Sequence, residues 1–209
     1  MALPAREFRI SRRSWLLAGL GIGLSRLRAA ESLEVSFDGD NLRVEAPGLH
    51  FLTGKPLERL KDAATVTFLS QITLFSDAQG TVYKRSPIER LVVSYDLWEE
   101  KFSVTIPGGG KRGIPKVSAT EAETWCLENL AISAMGLAPE RRFWLRFDLR
   151  TADRKDIGNV IGDQGLSLGS LIEVFSRKPG AGDASWRRDF GPFRLLDLPR
   201  TPSGRRRIG

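Results

Sequence analysis

The residues best suited to recognition chemistry are aromatic and polar side chains that fall on or beside predicted strands. Aromatic rings near an arginine are typical of grooves that bind a peptide, a glycan or a partner protein. Two segments of the chain have this character, and together they predict a ligand-binding face made of Tyr95, Asp96, Trp98, Trp144 and Arg146. The alternative interpretation is that a helix packs across this face and buries the rings.

Cysteine and histidine, which commonly serve as nucleophiles, bases or metal ligands, each occur once in this chain. Cys126 is the one cysteine, which excludes an intramolecular disulfide and a cysteine-based zinc cluster. His50 is the one histidine, which excludes sites built on two histidines, and beside Phe51 it is more simply a packed or half-exposed residue. The segment Gly169-Ser170-Leu171 does not fit the G-x-S-x-G motif of serine hydrolases. A hydrolase that uses two carboxylates from distant strands stays open.

Two loop segments resemble ligand-binding motifs only superficially. Residues 108–112, Gly-Gly-Gly-Lys-Arg, lack the first glycine, the Ser/Thr and the helix of a phosphate-binding P-loop, so a hairpin connection is favoured. Asp148, Asp153 and Asp156 match no calcium loop, and the basic residues among them favour solvated ion pairs. We therefore predict no metal site and no cofactor.

The positive charge of the chain is concentrated at its two ends. The net charge is +7 over 209 residues. Residues 1–30 contain six arginines and one glutamate, and residues 200–209 contain four arginines and no acidic residue, which leaves −2 for residues 31–199. A nucleic-acid-binding domain carries its positive charge on the folded face, so we expect no nucleic-acid partner. Three arginines of the tail are suited to contact with an anionic surface: Arg205, Arg206 and Arg207.

Residues 1–30 resemble an export signal. Arg12 and Arg13 precede a short apolar run, residues 15–24, and the pair is similar to a twin-arginine signal. Ten helical residues cover about half of a ~30 Å hydrocarbon core, which suits a signal better than a membrane-spanning helix. We predict export to the periplasm. A membrane anchor formed by an uncleaved signal and a basic arm on a cytoplasmic protein are the alternatives.

Strands are the elements that must position the candidate residues. Residues 86–107 alternate between apolar and polar side chains on either side of a charged tetrad, which predicts a hairpin that turns at residues 98–101. An Asp-Gly pair at residues 38–39 predicts a second hairpin. The strand at residues 64–76 is long enough to predict a bend or bulge near Ser70. Further strands are predicted at residues 33–37, 42–44, 81–85, 142–150 and 190–198.

Two or three helices accompany these strands. A capping box, Ser-x-x-Glu, starts the clearest helix at residue 118, and helical spacing of apolar residues extends it to Met135. Gly136 then has the position of a helix-ending glycine. Shorter helices are predicted at residues 56–63 and after Ser167.

About eight strands and two or three helices predict a mainly β, α+β fold, either an antiparallel β-sandwich or a twisted sheet with the helices packed on one side. The length suits one such domain, at residues 31–200. Residues 1–30 are predicted to be a signal or anchor, and residues 201–209 a basic tail with nothing to bury.

The hydrophobic scheme of residues 52–105 resembles an uncharacterised family of bacterial exported domains, domain of unknown function 4390. The segments that carry the likeness read G-K-P-L, V-T-F, I-T-L-F, L-V-V-S-Y-D and F-S-V. The likeness extends through the helix at residue 118 to the strand at residues 142–151, over about half of the chain. The resemblance implies an envelope location, and it brings no activity or catalytic residues.

The sequence therefore predicts an exported module that acts by binding or assembly in the bacterial envelope, with an envelope protein or polymer as its ligand. Two alternatives stay open, a hydrolase that uses carboxylates alone and an accessory subunit exported together with a redox enzyme. We assign no catalytic residue and no oligomeric state from the sequence.

Overall fold

Two antiparallel sheets dominate the fold. The structure is a computed structural model, and it describes residues 33–108, 112–152 and 184–201. These residues belong to one compact unit, residues 31–209. The described strands are β1 (Glu34–Phe37), β2 (Asn41–Glu45), β3 (Val66–Phe75), β4 (Val82–Arg85), β5 (Glu89–Asp96), β6 (Lys101–Ile106), β7 (Arg112–Val117), β8 (Ala131–Ser133), β9 (Phe143–Thr151) and β10 (Ser185–Phe193). The described helices are α1 (Gly54–Lys61), α2 (Ala119–Glu128) and a 3-10 helix at Leu195–Asp197. The predicted fold class, mainly β with α+β character, is confirmed.

β3 is the centre of the larger sheet, whose order is β10-β9-β3-β5-β6-β7 with β4 also paired to β3. The ladder between β3 and β9 is continuous from Phe68 to Phe75. On its other side, β3 pairs with β5 as far as Ser70 and with β4 beyond it. Where the sequence predicts a bend or bulge, near Ser70, β3 therefore changes its neighbouring strand from β5 to β4. The register shift of β3 lies further along, between Leu74 and Phe75, in its pairing with β4.

The smaller sheet has the order β1-β2-β8, and its first turn forms as the Asp-Gly pair predicts. Asp38 accepts hydrogen bonds from the backbone N–H groups of Asn41, at 2.8 Å, and Asp40, at 3.2 Å, and its carboxylate contacts Arg43 at 2.9 Å. Burial by itself raises the pKa of Asp38, but these hydrogen bonds and the nearby guanidinium outweigh it, so the pKa is lowered. Gly39 supplies the positive φ, +100°, that the turn requires.

Helix α2 begins with the predicted capping box but ends earlier than predicted. Ser118 Oγ accepts from the Glu121 N–H, and the Glu121 carboxylate accepts from the Ser118 N–H at 2.8 Å. The helix ends at residue 128, and Ile132 lies in β8 opposite Leu42. The prediction of a helix to Met135 is therefore wrong. Residues 130, 132 and 134 are all buried, a period of two that satisfies a strand, and the sheet edge of β2 supplies the hydrogen bonds.

The last strand also differs from its predicted bounds. β10 begins at Ser185, before the predicted strand at residues 190–198, and most of those predicted residues form the end of β10 and the 3-10 helix. Arg188 lies on the same side of β10 as Trp186 and Phe190, so it interrupts the apolar alternation that would have marked the strand. β7, which was not predicted, contains a proline and lies at the sheet edge, where a missing N–H is tolerated. The helix predicted after Ser167 lies outside the described residues.

One hydrophobic core joins both sheets and both α-helices. Alternate residues of β3 and β9 face it, including Phe68 and Ile72 on β3 and Phe147 on β9. Helices α1 and α2 both pack on this core, as the sequence predicts for helices that lie against the sheet. None of the helices among the described residues has the length and apolar character needed to cross a membrane.

We call the two ends of the larger sheet the Val66 end and the Phe75 end, after the first and last residues of β3. From Val66 to Phe75 the strand makes nine residue steps, about 30 Å at ~3.3 Å per residue. Val93 of β5 pairs with Val66, so the turn between β5 and β6, at residues 97–100, lies beyond the Val66 end. β4, the start of β9 and the end of β10 lie at the Phe75 end.

Candidate functional site

The turn between β5 and β6, which we call the hairpin tip (residues 97–100), presents a fully exposed aromatic ring. Trp98 is 95% exposed and its neighbour Leu97 is 51% exposed. Asp96 Oδ1 accepts the backbone N–H groups of Trp98, at 2.9 Å, and Glu99, at 3.1 Å. These two hydrogen bonds lower the pKa of Asp96, so the carboxylate stays ionised at neutral pH and holds the turn. The ring is thus exposed on an ordered turn.

Two contacts beside the tip support it from the neighbouring strands. Lys116 Nζ of β7 lies 2.6 Å from Glu99 Oε1, which links the tip to the sheet edge, and the carboxylate raises the pKa of Lys116. Tyr95 packs on Phe102, with ring centroids 4.8 Å apart, against the core. Tyr95 and Asp96 therefore position the tip, and Trp98 is the aromatic member of the set whose ring is exposed.

Trp144 and Arg146 lie at the Phe75 end, on the face of β9 that points away from the core. Arg146 makes a two-pronged ion pair with Asp189, at 2.6 and 3.1 Å, and its guanidinium lies 4.9 Å from the centre of the Phe75 ring. The hydrogen bond from Arg146 to Asp189 raises the pKa of the guanidinium. Trp144 packs closely on Gly191, where a Cβ would come within 2.9 Å of the indole. Both side chains are thus engaged between β9 and β10.

The predicted binding face is therefore divided between two places. The structure brings Tyr95, Asp96 and Trp98 together, and it places Trp144 opposite Phe75, about 30 Å away along β3. The two segments belong to strands separated by β3, and the register of each strand with β3 sends them to opposite ends. Whether either group binds a ligand stays a prediction.

A second exposed apolar surface, which sequence reasoning missed, lies at the Phe75 end. It consists of three side chains that we call the apolar rim: Tyr83, Met135 and Leu196. Met135 is 81% exposed and Leu196 is 58% exposed, and both line a groove of about 510 Å³. The Tyr83 hydroxyl reaches Gly136, where it would lie 2.7 Å from an added Cβ. The apolar residues at positions 130, 132 and 134, with a period of two, were the available signal that the chain leaves the helix before Met135.

The one histidine and the one cysteine both lie near the same buried carboxylate. Glu123 of α2 accepts the Leu52 N–H at 2.7 Å, and its other oxygen lies 2.9 Å from His50 Nδ1. Cys126, one turn further along α2, is fully buried, and burial together with the Glu123 charge raises the pKa of its thiol to about 12. A thiol in this state is protonated at neutral pH and is a poor nucleophile. The arrangement ties the segment before α1 to α2.

Several segments with possible chemistry lie outside the described residues. They include Asp153, Asp156, most of the glycine-rich loop, and residues 165–169, whose sequence Gly-Leu-Ser-Leu-Gly does have the G-x-S-x-G form. The motif requires a strand, a tight turn and a helix around the serine, so the sequence match by itself assigns no nucleophile. Among the residues that the structure describes, no three His, Cys, Asp or Glu side chains converge on a metal position.

Comparison of the chain with protein-family models, with curated proteins and with solved structures gave no match. The resemblance to domain of unknown function 4390 therefore stays a prediction.

Proposed function

We propose that this protein is an exported binding or assembly module of the bacterial envelope, and that it holds an envelope protein or polymer through the hairpin tip. The observation that supports this proposal is the exposure of Trp98 on an ordered turn. Tryptophan is enriched among the residues that dominate binding energies, since its large ring is desolvated on contact. Export rests on the similarity of residues 1–30 to a twin-arginine signal.

The one carboxylate of β9 and the one carboxylate of β10 are both engaged in ion pairs. Asp148 contacts Arg187 and Asp189 contacts Arg146, so each carboxylate is held by a guanidinium. These ion pairs are therefore suited to joining the two strands.

Replacing Trp98 with alanine is expected to weaken ligand binding about 30-fold or more, because an aromatic anchor contributes about 2 kcal/mol or more when it is truncated. The free energy of unfolding should change by less than about 0.5 kcal/mol, since the ring is exposed. The measurement is capture of material from solubilised bacterial envelopes on the immobilised full chain. Ser94→Ala, an exposed change on the same hairpin, is the control. Equal capture by the wild type and by Trp98→Ala would contradict the role of the tip.

Replacing Arg12 and Arg13 together with lysine is expected to abolish export, because a twin-arginine signal requires the arginine pair. The full chain with a C-terminal tag is expressed in a bacterium with a working twin-arginine pathway, the cells are fractionated, and the mature N-terminus is determined. The wild type should appear in the envelope fractions and the double variant in the cytoplasm. Wild-type protein found only in the cytoplasm with residues 1–30 intact would overturn the export proposal.

A further inference from the structure

Strand β10 forms an open edge of the larger sheet. It stands first in the strand order, and among the described residues β9 is the one strand that pairs with it. Four of its first five residues are exposed: Ser185, Arg187, Arg188 and Asp189. The outward N–H and C=O groups of an edge strand are a template for the addition of a further strand.

Alternate residues of β10 direct their backbone groups away from β9. The Thr151 N–H of β9 donates to the Ala184 carbonyl at 2.9 Å, so residue 184 and the even-numbered residues of β10 after it face β9. The odd-numbered residues 185, 187 and 189 therefore face outward. In agreement, the Arg187 carbonyl accepts from the Arg188 guanidinium, at 3.0 Å.

Two other edges of the sheets are obstructed. β7, at the opposite edge of the larger sheet, contains Pro115, and Lys116 beside it has a positive φ of +55°. A proline and an irregular backbone are features that prevent the addition of a strand. The edge of β1 is met at Phe37 by backbone hydrogen bonds from the segment after the 3-10 helix. β10, by contrast, keeps a continuous register with β9 from Ser185 to Phe190.

The sequence of β10 is complementary to itself in one antiparallel register. Outward residues must meet outward residues, so the middle of the strand can pair with a second copy about a two-fold axis at residue 187, 188 or 189. An axis at Arg187 or at Asp189 would place that charged side chain opposite its own copy. An axis at Arg188 instead places Arg187 of each copy opposite Asp189 of the other.

This register extends the ion pairs that already join β9 and β10. Arg187 lies opposite Asp148 of β9, and Asp189 lies opposite Arg146. Across the joined edge, each row of side chains then reads Asp148, Arg187, Asp189 of the second copy and Arg146 of the second copy. The sign of the charge alternates over all four strands. Opposite charges at directly opposed positions stabilise an antiparallel pair.

We propose that two copies of this protein associate edge to edge through β10, antiparallel and with the two-fold axis at Arg188. On the inner face of the sheet, this places Trp186 opposite Phe190 of the second copy, and both side chains are half-buried in one copy. The Arg187 carbonyl exchanges the Arg188 side chain for the Asp189 N–H of the second copy. Complementarity of β10 with itself selects a second copy over an unrelated strand.

This inference goes beyond the proposed function and does not depend on the ligand of the hairpin tip. β9 and β3 separate β10 from β5 and β6, so association through β10 leaves the tip of each copy exposed. A dimer therefore carries two tips, which strengthens the capture of a ligand that offers repeated sites.

The first test introduces one cysteine into the full chain and oxidises the native protein under mild conditions. Arg188→Cys lies on the proposed axis, where opposite Cβ atoms are about 4.5–5.5 Å apart, close to the separation that a disulfide requires. Ser185→Cys is the matched control on the same exposed edge, because the two copies of residue 185 are about 20 Å apart in this register. The native Cys126 does not compete, because it is buried and its pKa is raised to about 12. Arg188→Cys should form a covalent dimer about tenfold faster than Ser185→Cys, or more.

The second test measures the dimer of the full chain by sedimentation velocity, without cross-links. Asp189→Pro removes an outward N–H and no bond to β9, whereas Asp189→Ala removes the same ion pair with Arg146 and keeps the N–H. The proline variant should therefore dimerise about tenfold more weakly than the alanine variant. Arg188→Thr should tighten the dimer about threefold, because it removes the like charges that meet at the axis. Urea denaturation shows whether each variant is folded.

Three outcomes overturn the proposal: a wild type that is monomeric at every concentration, equal rates of cross-linking at residues 185 and 188, or a dimer that neither Asp189→Pro nor Arg188→Thr changes. If Asp189→Pro does not fold, the comparison of the two cysteine variants decides. Trp98→Ala should dimerise as the wild type does, so failure of the dimer and failure of capture by the hairpin tip are observed separately.

Discussion

The Phe68→Ala variant should have a free energy of unfolding about 3–5 kcal/mol below that of the wild type. Phe68 is fully buried on β3, between Leu91 of β5 and Thr151 of β9. Its ring lies 5.0 Å from the ring of Phe51 in an edge-to-face arrangement and 6.4 Å from that of Trp186. Truncation removes these contacts and leaves a cavity that the central strand of a sheet cannot close by moving.

Urea denaturation followed by circular dichroism measures this loss, with Val92→Ala as the matched control. Val92 is on β5, one residue from Leu91, but it is half-buried on the opposite face, so its loss should cost about 1 kcal/mol or less. A similar loss for both variants would show that the face toward Phe51 and Trp186 is not the core. A loss of this size is a large part of the free energy of unfolding of a typical small domain.

Removal of the Asp148 carboxylate should destabilise the protein more than removal of the Asp189 carboxylate, although both bind arginines between β9 and β10. Asp148 is 5% exposed and contacts Arg187 Nε at 2.5 Å, next to the buried Gln71 of β3. Asp148→Ala should lower the free energy of unfolding by about 1–3 kcal/mol, since it disrupts a buried hydrogen-bonded group. The Asp189 side chain is 59% exposed, so Asp189→Ala should cost about 1 kcal/mol or less.

Salt dependence and an isosteric variant distinguish the two carboxylates further. In 1 M salt the cost of Asp189→Ala should shrink, because an exposed ion pair is screened, while that of Asp148→Ala should persist. Asp148→Asn keeps the shape of the side chain and should recover part of the loss if hydrogen bonding rather than charge dominates. Equal costs for Asp148→Ala and Asp189→Ala at both salt concentrations would contradict the difference in burial as the cause.

Local signals predicted the parts of the fold whose causes are local. The turn after Asp38 and the capping box of Ser118 and Glu121 each depend on residues within a few positions of one another, and both form as predicted. The alternation of β5, β6 and β9 is a property of each strand alone, because side chains of an extended chain point to opposite faces in turn. The fold class followed from these elements.

Elements whose secondary structure depends on residues far away in the sequence were predicted less well. Ile132 fits both a helix and a strand, and the free edge of β2, about ninety residues earlier in the chain, decided in favour of the strand. Two charged residues of β10, Arg187 and Asp189, pair with Asp148 and Arg146 of β9 only once the two strands are side by side. In each case the deciding contact is long-range, so no short window of sequence contains it.

The sequence by itself determined which side chains this protein has for recognition, where its positive charge is concentrated and which fold class it adopts. Only the tertiary structure decided how the recognition residues are distributed. The register of β3 with β5 and β9 sends Trp98 and Trp144 to opposite ends of the sheet, and the end of α2 at residue 128 turns Met135 outward to the rim. Strand register and helix length are set by packing over the whole core, since each chain segment buries its apolar face against segments far away in sequence.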